Sequence, residues 1–401
     1  MKPTLYVTLF LMTVLASACF DETDISSGQA ESFIKYYNNY PVFSGVDVKE
    51  LDQSGYALLG TVETNLGNTK ICLIRTDAYG NLVDTARYYG EESNAKAYCL
   101  QVLSDGGFGI LGSSVNTFTG KLQVYFVRTN SAGDTLWTRR ISHTGNVVAN
   151  YFEVNADGSY ILTGYAERSN SITDKQVWIG ALDESGDQPF WSPKMYGADK
   201  DDEGRHLQIL GDGSFVITGT TRSYPTGTLY SHAFVLRVTA TGGATVFSPI
   251  PSTADEEGNC IRVLDNQNYL VFGTVKSASS TSGSDIRLKK VTLTGGVLTI
   301  AWERTYGSNG NDTGQSLVAE GSSLNMLTTM ATSGINSAIS LIITDSEGNF
   351  PAYTTIGIGT QLSGSSFAIT SDNGFIITGT NKYSDNSLSA TLIKTLSGGK
   401  L

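Results

Sequence analysis

The chain has 401 residues, a formal net charge of −11 and only 16% charged residues, and it contains 44 glycines. So acidic a chain repels the phosphate backbone, which excludes nucleic acid as a predicted partner. The glycines, 20 tyrosines and 16 phenylalanines favour strands and tight turns over long helices, and an apolar fraction of 40% excludes a disordered chain.

The first predicted element is an export signal at residues 1–18. Lys2 precedes an apolar run that is too short to span a bilayer and that ends in small residues. Residues 15–19, with the sequence LASAC, resemble a bacterial lipobox, in which Cys19 is lipidated and becomes the new N-terminus. Cleavage before this cysteine without lipidation is the alternative. We therefore predict a lipidated acidic tether at 19–32 and attachment to a membrane through the lipid on Cys19.

An apolar run with a fixed ending recurs seven times in the rest of the chain. The last residues of the runs are Gly60, Gly112, Gly164, Gly219, Gly273, Thr328 and Gly379, which are 51 to 55 residues apart. Each repeat holds three further apolar runs joined by hairpin-type turns, so we predict four strands in each. Repeats of this kind are typical of propeller blades. The predicted fold is all-β, a seven-bladed β-propeller with four-stranded blades over residues 33–401.

The two ends of the chain predict how the propeller closes. The seventh repeat stops at Leu401 with no room for a fourth strand. Residues 33–37 (FIKYY) match the fourth strand of the first repeat at 85–89 (TARYY) and a later one at 302–306 (WERTY). We therefore predict that the N-terminal strand completes the last blade and closes the ring, which leaves no open sheet edge.

Cysteines and aspartate turns have structural explanations. Cys72, Cys99 and Cys260 fit neither a zinc site nor a disulfide scaffold, and they lie in apolar runs. We predict that they are small buried hydrophobic residues, with a Cys72–Cys99 disulfide as the alternative. Turns of the form Asp-x-x-Gly, such as residues 77–80, lack the alternating carboxylates of calcium loops. In them we expect the aspartate to bond its own turn and the glycine to adopt a positive φ.

The composite repeat resembles the repeat lipoproteins of Bacteroidetes-type bacteria. Its parts are Gly-Tyr/Phe-Ile-x-x-Gly, an apolar strand, Asp-x-x-Gly-Asn, a tryptophan and Tyr-Gly. The resemblance implies a seven-bladed propeller and an outer-membrane lipoprotein, but little about chemistry. Acidic residues after Cys19 look like the signal that sends such lipoproteins to the cell surface, and a location facing the periplasm is the alternative.

Aligning the repeats on the predicted innermost strand separates core from polar positions. The core positions are Val48, Leu100, Phe152, Leu207, Ile261, Leu317 and Phe367. The residues directly before the core positions are Asp47, Cys99, Tyr151, His206, Cys260, Ser316 and Ser366. The residues directly after them are Lys49, Gln101, Glu153, Gln208, Arg262, Val318 and Ala368. Because side chains alternate along a strand, we expect these two sets to line a central channel. Lys49, Glu153 and Arg262 either bind a ligand there or pair with each other and with water.

Several of the loops that enter the innermost strands are acidic. Their carboxylates include Glu91, Glu92, Asp199, Asp201, Asp202, Glu203, Asp255, Glu256, Glu257 and Asp312. Asp202, Glu256 and Asp312 are equivalent, two residues before a glycine, which favours a structural role over a ligand site. The candidate ligand-binding residues are Asp199, Asp202, Glu203, His206, Asp255, Glu256, Glu257 and Arg262. No cofactor is predicted, although Ca²⁺ binding at these carboxylates stays open.

Catalytic motifs are missing from the sequence. It has three histidines but no His-Glu-x-x-His, nucleophile elbow or phosphate-binding glycine loop. We therefore predict a binding or scaffold module for a glycan or a protein partner rather than an enzyme. The alternative is a glycan-cleaving enzyme that uses paired carboxylates on the loop-rich face.

Overall fold

A computed structural model describes residues 32–52, 55–64, 67–90, 94–169, 174–187, 192–227, 229–276, 283–332, 336–357 and 361–401. The predicted signal peptide, Cys19 and the tether up to residue 31 lie outside the described residues, as do Glu91 and Glu92. Within the described ranges, no helix is long and apolar enough to cross a membrane.

The described residues form 28 strands and one short 3₁₀ turn, Ser397–Gly399, so the all-β prediction is confirmed. The strands are β1 (Phe33–Tyr37), β2–β5 (Val42–Leu51, Gly55–Glu63, Thr69–Thr76, Arg87–Tyr89), β6–β9 (Lys96–Val102, Phe108–Val115, Leu122–Thr129, Thr135–Ile141), β10–β13 (Val147–Val154, Tyr160–Glu167, Lys175–Leu182, Lys194–Tyr196), β14–β17 (Asp202–Ile209, Phe215–Thr221, His232–Val238, Ala244–Pro249), β18–β21 (Glu256–Val263, Asn268–Lys276, Ser284–Thr294, Val297–Tyr306), β22–β25 (Thr313–Glu320, Ser323–Ala331, Ser337–Asp345, Ala352–Ile356) and β26–β28 (Gln361–Ile369, Phe375–Lys382, Leu388–Thr395).

Consecutive strands pair as antiparallel meanders. The groups β6–β9, β10–β13, β14–β17 and β18–β21 are separate four-stranded sheets in chain order. The other strands form one mixed, twelve-stranded sheet with the path β22-β23-β24-β26-β27-β28-β2-β3-β4-β5, in which β25 pairs with β24 and β1 with β28. Its two parallel joins are single residue pairs, Ser337 with Gln361 and Val42 with Leu388. The mixed sheet is therefore three meanders that touch at two points.

Strand β1 pairs antiparallel with β28 over its whole length. The register runs from Phe33 opposite Lys394 to Tyr37 opposite Ala390. The N-terminal strand thus lies beside the last strand of the chain, which is the neighbour that the sequence match predicted for it.

The apolar core lies between neighbouring sheets. All seven positions predicted as core on the innermost strands are buried: Val48, Leu100, Phe152, Leu207, Ile261, Leu317 and Phe367. Cys72, Cys99 and Cys260 are buried free thiols, so their prediction as small hydrophobic residues is confirmed. Burial of the apolar side chains between the sheets removes apolar surface from water, which is the main stabilising contribution to such a fold.

Every strand predicted to be innermost carries a β-bulge at the same place. The unpaired residues are Val46, Tyr98, Asn150, Arg205, Asn259, Gln315 and Ser365, each after a glycine or alanine. At Gly45 an added Cβ would lie 2.4 Å from Thr378 Oγ1 and 2.5 Å from the carbonyl oxygen of Gly379. Because Gly45 has no side chain, β2 can approach the neighbouring repeat closely at the position just before its bulge.

Tyrosines at the ends of outer strands bond the turn of the following repeat. The hydroxyl donates to a glycine carbonyl in four repeats: Tyr37 to Gly80 (2.8 Å), Tyr89 to Gly133 (2.6 Å), Tyr196 to Gly242, and Tyr306 to Gly348 (2.7 Å). All four glycines have a positive φ, between 71° and 82°. This contact gives a physical reason for the recurrence of the tyrosine and of the last glycine of the turn.

We expect Tyr306→Phe to lower the free energy of unfolding by about 1 kcal/mol, because it leaves the buried Gly348 carbonyl without its donor. Urea denaturation measures the change. Tyr353→Phe is the control, since Tyr353 is exposed. An equal effect of the two substitutions would contradict a stabilising role for the tyrosine contact.

Candidate binding site at the rim of the innermost strands

The equivalent loop carboxylates are turned into the protein. Asp202 is fully buried and accepts hydrogen bonds from Thr221 Oγ1 at 2.5 Å and Ser223 Oγ at 2.6 Å. Asp312 is also fully buried and accepts from the Ala331 backbone N–H at 2.8 Å. Both carboxylates fasten the start of an innermost strand to neighbouring strands. These contacts support the structural alternative for the repeated acidic position.

Glu256, the third equivalent residue, forms a buried ion pair. Its Oε2 lies 2.7 Å from Lys289 Nζ, and the two side chains are only 3% and 2% exposed. Lys289 also donates to the Pro251 carbonyl at 3.3 Å. The pair joins the first strand of its sheet to the third, so this carboxylate too is used within the fold.

Asp199 and Asp255 have local partners nearer the surface. Asp199 is largely exposed and lies 2.8 Å from Arg168 Nη1. Asp255 accepts hydrogen bonds from the Ser231 backbone N–H at 2.8 Å and hydroxyl at 2.9 Å. The backbone hydrogen bond from Ser231 contributes most to holding the pKa of Asp255 below its usual value. The two carboxylates thus have different partners.

No group of three or more His, Cys, Asp or Glu side chains within the described ranges is arranged to hold a metal ion. An oxygen-ligated Ca²⁺ ion takes six to eight ligands, usually including several carboxylates. The carboxylates above face separate partners instead of one another. The calcium prediction therefore gains no support from their arrangement.

A pocket of about 400 Å³ opens at the bulged ends of β18, β22 and β26. It is lined by Glu257, Asn259, Thr274, Lys276, Ser284, Thr313, Gly314, Gln315 and Ser365. Asn259, Gln315 and Ser365 are the bulged residues of the three strands. We call this cavity the rim pocket. It gathers side chains from three successive repeats.

Charges in the rim pocket are partly compensated. Glu257 Oε2 lies 2.6 Å from Nη1 of Arg205, which is the bulged residue of β14. Glu203 stands at the equivalent place one repeat earlier and accepts from Asn150 Nδ2 at 2.8 Å. Lys276 is exposed at the end of β19. The pocket thus offers a cationic group beside a neutralised carboxylate, amides and hydroxyls.

Bulged side chains also bond from one innermost strand to the next. Asn150 Nδ2 donates to the Gly204 carbonyl at 2.9 Å, and Asn259 Nδ2 donates to the Gly314 carbonyl at 2.7 Å. The sequence alignment missed these residues because it assumed strict alternation of side chains, and a β-bulge inserts one extra residue that breaks this alternation. The signal that could have found them is the glycine or alanine before each.

Deeper along β10, β14 and β18 lies a second group, which we call the channel cluster: Tyr151, Glu153, His206 and Arg262. The rings of Tyr151 and His206 stack with centroids 4.0 Å apart. Arg262 Nη1 lies 3.2 Å from His206 Nε2. The structure therefore brings the predicted His206 and Arg262 together, away from the loop carboxylates.

Burial shifts the pKa values of the channel cluster. It raises the pKa of Glu153 to about 7, although the Ile209 backbone N–H donates to this carboxylate at 2.8 Å. Burial also holds the pKa of His206 well below its ordinary value, with the positive charge of Arg262 acting in the same direction. His206 is therefore neutral near pH 7, and Glu153 changes its protonation state in that range.

Other polar side chains on the innermost strands bind neighbouring backbone. Asp47 accepts from the Leu100 backbone N–H at 2.8 Å and pairs with Lys49 at 3.0 Å. Gln208 Oε1 accepts from the Val263 backbone N–H at 2.8 Å. Lys49 is therefore paired within the protein, with Asp47, which favours pairing over ligand binding for this residue.

A larger cavity of about 590 Å³ lies beside the outer strand β5. Its lining is mostly apolar and includes Tyr40, Leu82 and Tyr88. Asp84, its only acidic lining residue among those described, is bonded to Arg75. We select the rim pocket as the candidate site because polar groups that fix a ligand converge there from three repeats.

Comparison with protein-family models and with curated proteins found no match. Among solved structures, the chain is similar to the β-propeller domain of the Trilobed protease from Pyrococcus furiosus, described as having an open velcro topology. The identity is 10%, the TM-score is 0.50, and the match covers 89% of this chain and 94% of that one.

Two other solved structures are similar at lower TM-scores. YCF48 bound to D1 peptide has 10% identity, a TM-score of 0.48 and coverage of 91% and 97% of the two chains. A protein of unknown function from Bacteroides caccae has 12% identity, a TM-score of 0.41 and coverage of 78% and 93%. The likeness to the Pyrococcus furiosus domain, together with the repeated meanders, shows that this chain has a β-propeller-like fold.

Proposed function

We propose that the chain forms a closed, seven-bladed propeller with four strands in each blade. The innermost strands β2, β6, β10, β14, β18, β22 and β26 contact one another in this order, and β26 contacts β2. Ser365 Oγ donates to the Gly45 carbonyl at 2.8 Å, and Ser366 Oγ donates to Asp47 Oδ1 at 2.6 Å. These bonds between the first and last repeats support closure. β1 would be the fourth strand of the last blade.

We further propose that this propeller is a binding module for a glycan, held at the outer surface of a bacterium. The observation that carries the proposal is the rim pocket, whose amide, hydroxyl and charged groups suit the donors and acceptors of sugar hydroxyls. Its volume of about 400 Å³ lies within the usual range of small-ligand pockets. A protein partner is the second candidate for the same face.

Glycan cleavage has less support at this site. Glycosidases usually place two carboxyl groups about 5–10 Å apart across the scissile bond. Glu257 is the only carboxylate among the described residues that line the rim pocket, and Arg205 is its partner. The described lining of the pocket thus offers no second carboxyl group for that mechanism.

We expect Lys276→Ala to weaken glycan binding at least tenfold, because it removes the cationic donor of the rim pocket. The experiment incubates the full-length protein with a broad glycan panel and measures retention and product release together. Lys382→Ala is the matched control, since Lys382 ends β27 as Lys276 ends β19, and both are exposed. No retained glycan, or equal retention by the two variants, would overturn the proposal. Product release would favour the enzyme instead.

Anchoring through Cys19 is also part of the proposal. We expect Cys19→Ser to move the protein from the membrane fraction to the soluble fraction, because stable attachment needs the acyl chains on this cysteine. Fractionation followed by immunoblotting measures the change. Ser17→Ala, which leaves the cysteine in place, is the control. Continued membrane association of Cys19→Ser would mean that another segment anchors the chain.

A further inference from the structure

Two hydroxyl groups of the rim pocket have protons that they can donate to a ligand. The Thr274 hydroxyl oxygen accepts from the Gly314 backbone N–H at 3.2 Å, and the Thr313 hydroxyl oxygen accepts from Gln315 Nε2 at 2.6 Å. A hydroxyl oxygen that already accepts a hydrogen bond still has its own proton to donate. Both threonines line the rim pocket, so a ligand there meets two hydroxyl donors.

The carboxylate and the asparagine side chain of the rim pocket are already engaged within the protein. Arg205 Nη1 donates to Glu257 Oε2 at 2.6 Å and to Asn259 Oδ1 at 2.5 Å. Asn259 Nδ2 in turn donates to the Gly314 carbonyl at 2.7 Å. The negative charge of Glu257 therefore has its partner, and the asparagine oxygen has a donor.

Lys276 brings a positive charge to the rim pocket that has no such partner among the described residues. It is exposed and lines the pocket, and no described carboxylate lies within salt-bridge distance of its ammonium. Asp255 interacts with Lys276 only at longer range, since its Oδ1 accepts from the Ser231 backbone N–H at 2.8 Å. Lys276 and Thr274 are two residues apart on β19, so their side chains point to the same side of the strand.

The described charges at the rim pocket therefore leave an excess of positive charge. Arg205 and Glu257 neutralise each other, and the ammonium of Lys276 remains. The chain as a whole is acidic, but at an ionic strength of about 0.15 M the Debye length is about 8 Å, so distant carboxylates are screened. A negatively charged group that enters the pocket is thus attracted locally.

We propose that the rim pocket selects acidic glycans, whose sugar units carry a carboxylate or a sulfate group. The acidic group lies against Lys276 and accepts hydrogen bonds from the hydroxyls of Thr274 and Thr313. Hydrogen bonds between charged groups are stronger than neutral ones, so an acidic sugar gains more from this lining than a neutral sugar does. This inference rests on the proposed glycan-binding function and names the class of ligand for the same pocket.

Matched pairs of glycans that differ in charge test the proposal. The full-length protein is titrated by calorimetry, at about 0.15 M NaCl, with trigalacturonic acid and its methyl ester, and with dextran sulfate and dextran. We expect about tenfold tighter binding of the acidic member in at least one pair, and a steep loss of its affinity when the salt concentration is raised. The pair that responds identifies the acidic group as a carboxylate or a sulfate.

Two variants separate the charge of the pocket from its other contacts. Lys276→Gln keeps a neutral hydrogen-bond donor, so it should lower the affinity for the acidic member to that of its neutral counterpart and change the latter little. Lys382→Gln, at the equivalent end of β27, should change neither affinity.

The possible failures of this inference and of the glycan-binding function can be told apart. Equal affinity within both pairs, or retention of neutral glycans alone from the broad panel, would overturn the preference for acidic glycans and leave glycan binding in place. An acidic glycan bound equally well by Lys276→Gln would also overturn the preference. If neither these four ligands nor any glycan of the panel binds, the glycan-binding function is overturned and this inference with it.

Discussion

Replacing Glu256 by Gln is expected to lower the free energy of unfolding by about 3 kcal/mol, because it leaves the Lys289 ammonium buried without its counter-charge. Glu303 lies 3.7 Å from the same nitrogen, but it is half exposed and compensates little. Urea denaturation followed by circular dichroism measures the change. The double variant Glu256→Gln with Lys289→Met should recover most of the loss, since it removes both charges.

Glu347→Gln is a matched control for that experiment. Glu347 pairs at 3.3 Å with Lys290, the neighbour of Lys289 on β20, but both side chains of this pair are partly exposed. Exposed pairs contribute about 0–1 kcal/mol, so little change is expected. If Glu256→Gln and Glu347→Gln behaved alike, burial would not determine the strength of these pairs. Unchanged stability with lost ligand binding would restore Glu256 as a ligand-binding residue.

Deletion of residues 33–40 is expected to cost several kcal/mol, a large part of the 5–15 kcal/mol that stabilises a typical domain. The deletion removes β1 and exposes the edge of β28. It also removes the bond from Tyr37 to Gly80 and the contact of the Phe33 ring with Tyr56, whose centroids are 6.2 Å apart. We expect a lower melting temperature and aggregation through the exposed edge.

A chimera provides the control for the deletion. Replacing residues 33–37 with TARYY, the sequence of residues 85–89, keeps a tyrosine at the position of Tyr37 and keeps the length of the segment. Near-normal melting temperature and solubility are expected for this protein. A truncated protein that melted and dissolved like the intact one would contradict both the pairing of β1 and the proposed closure.

Period-two alternation made much of this fold predictable from the sequence. Val48, Phe152 and Ile261 are buried because every second side chain of these strands faces a neighbouring sheet. The partner of β1 was predictable because its Tyr-Tyr ending repeats that of an outer strand. The predictions for residues 1–31 remain predictions, since they lie outside the described residues.

Contacts that depend on strand register were not predictable. Lys289 lies 33 residues beyond Glu256, and only the pairing of β18, β19 and β20 brings the two together. The repetition of the acidic position favoured a structural role, but it could not identify the partners. His206 and Arg262 are in contact because their strands are neighbours. Side-chain alternation placed both residues on the polar side of these strands, but it could not predict the contact between them. The ligand-binding roles of the predicted site residues remain predictions.

The bulges have a consequence for how such a protein can change through evolution. A bulged residue takes no part in the ladder, so exchanging its side chain leaves strand register intact. The seven positions already hold six residue types, namely Val, Tyr, Asn, Arg, Gln and Ser. Duplicated repeats can therefore diverge at this one position while their frameworks stay alike, so the side chains at the rim can change without a change of fold.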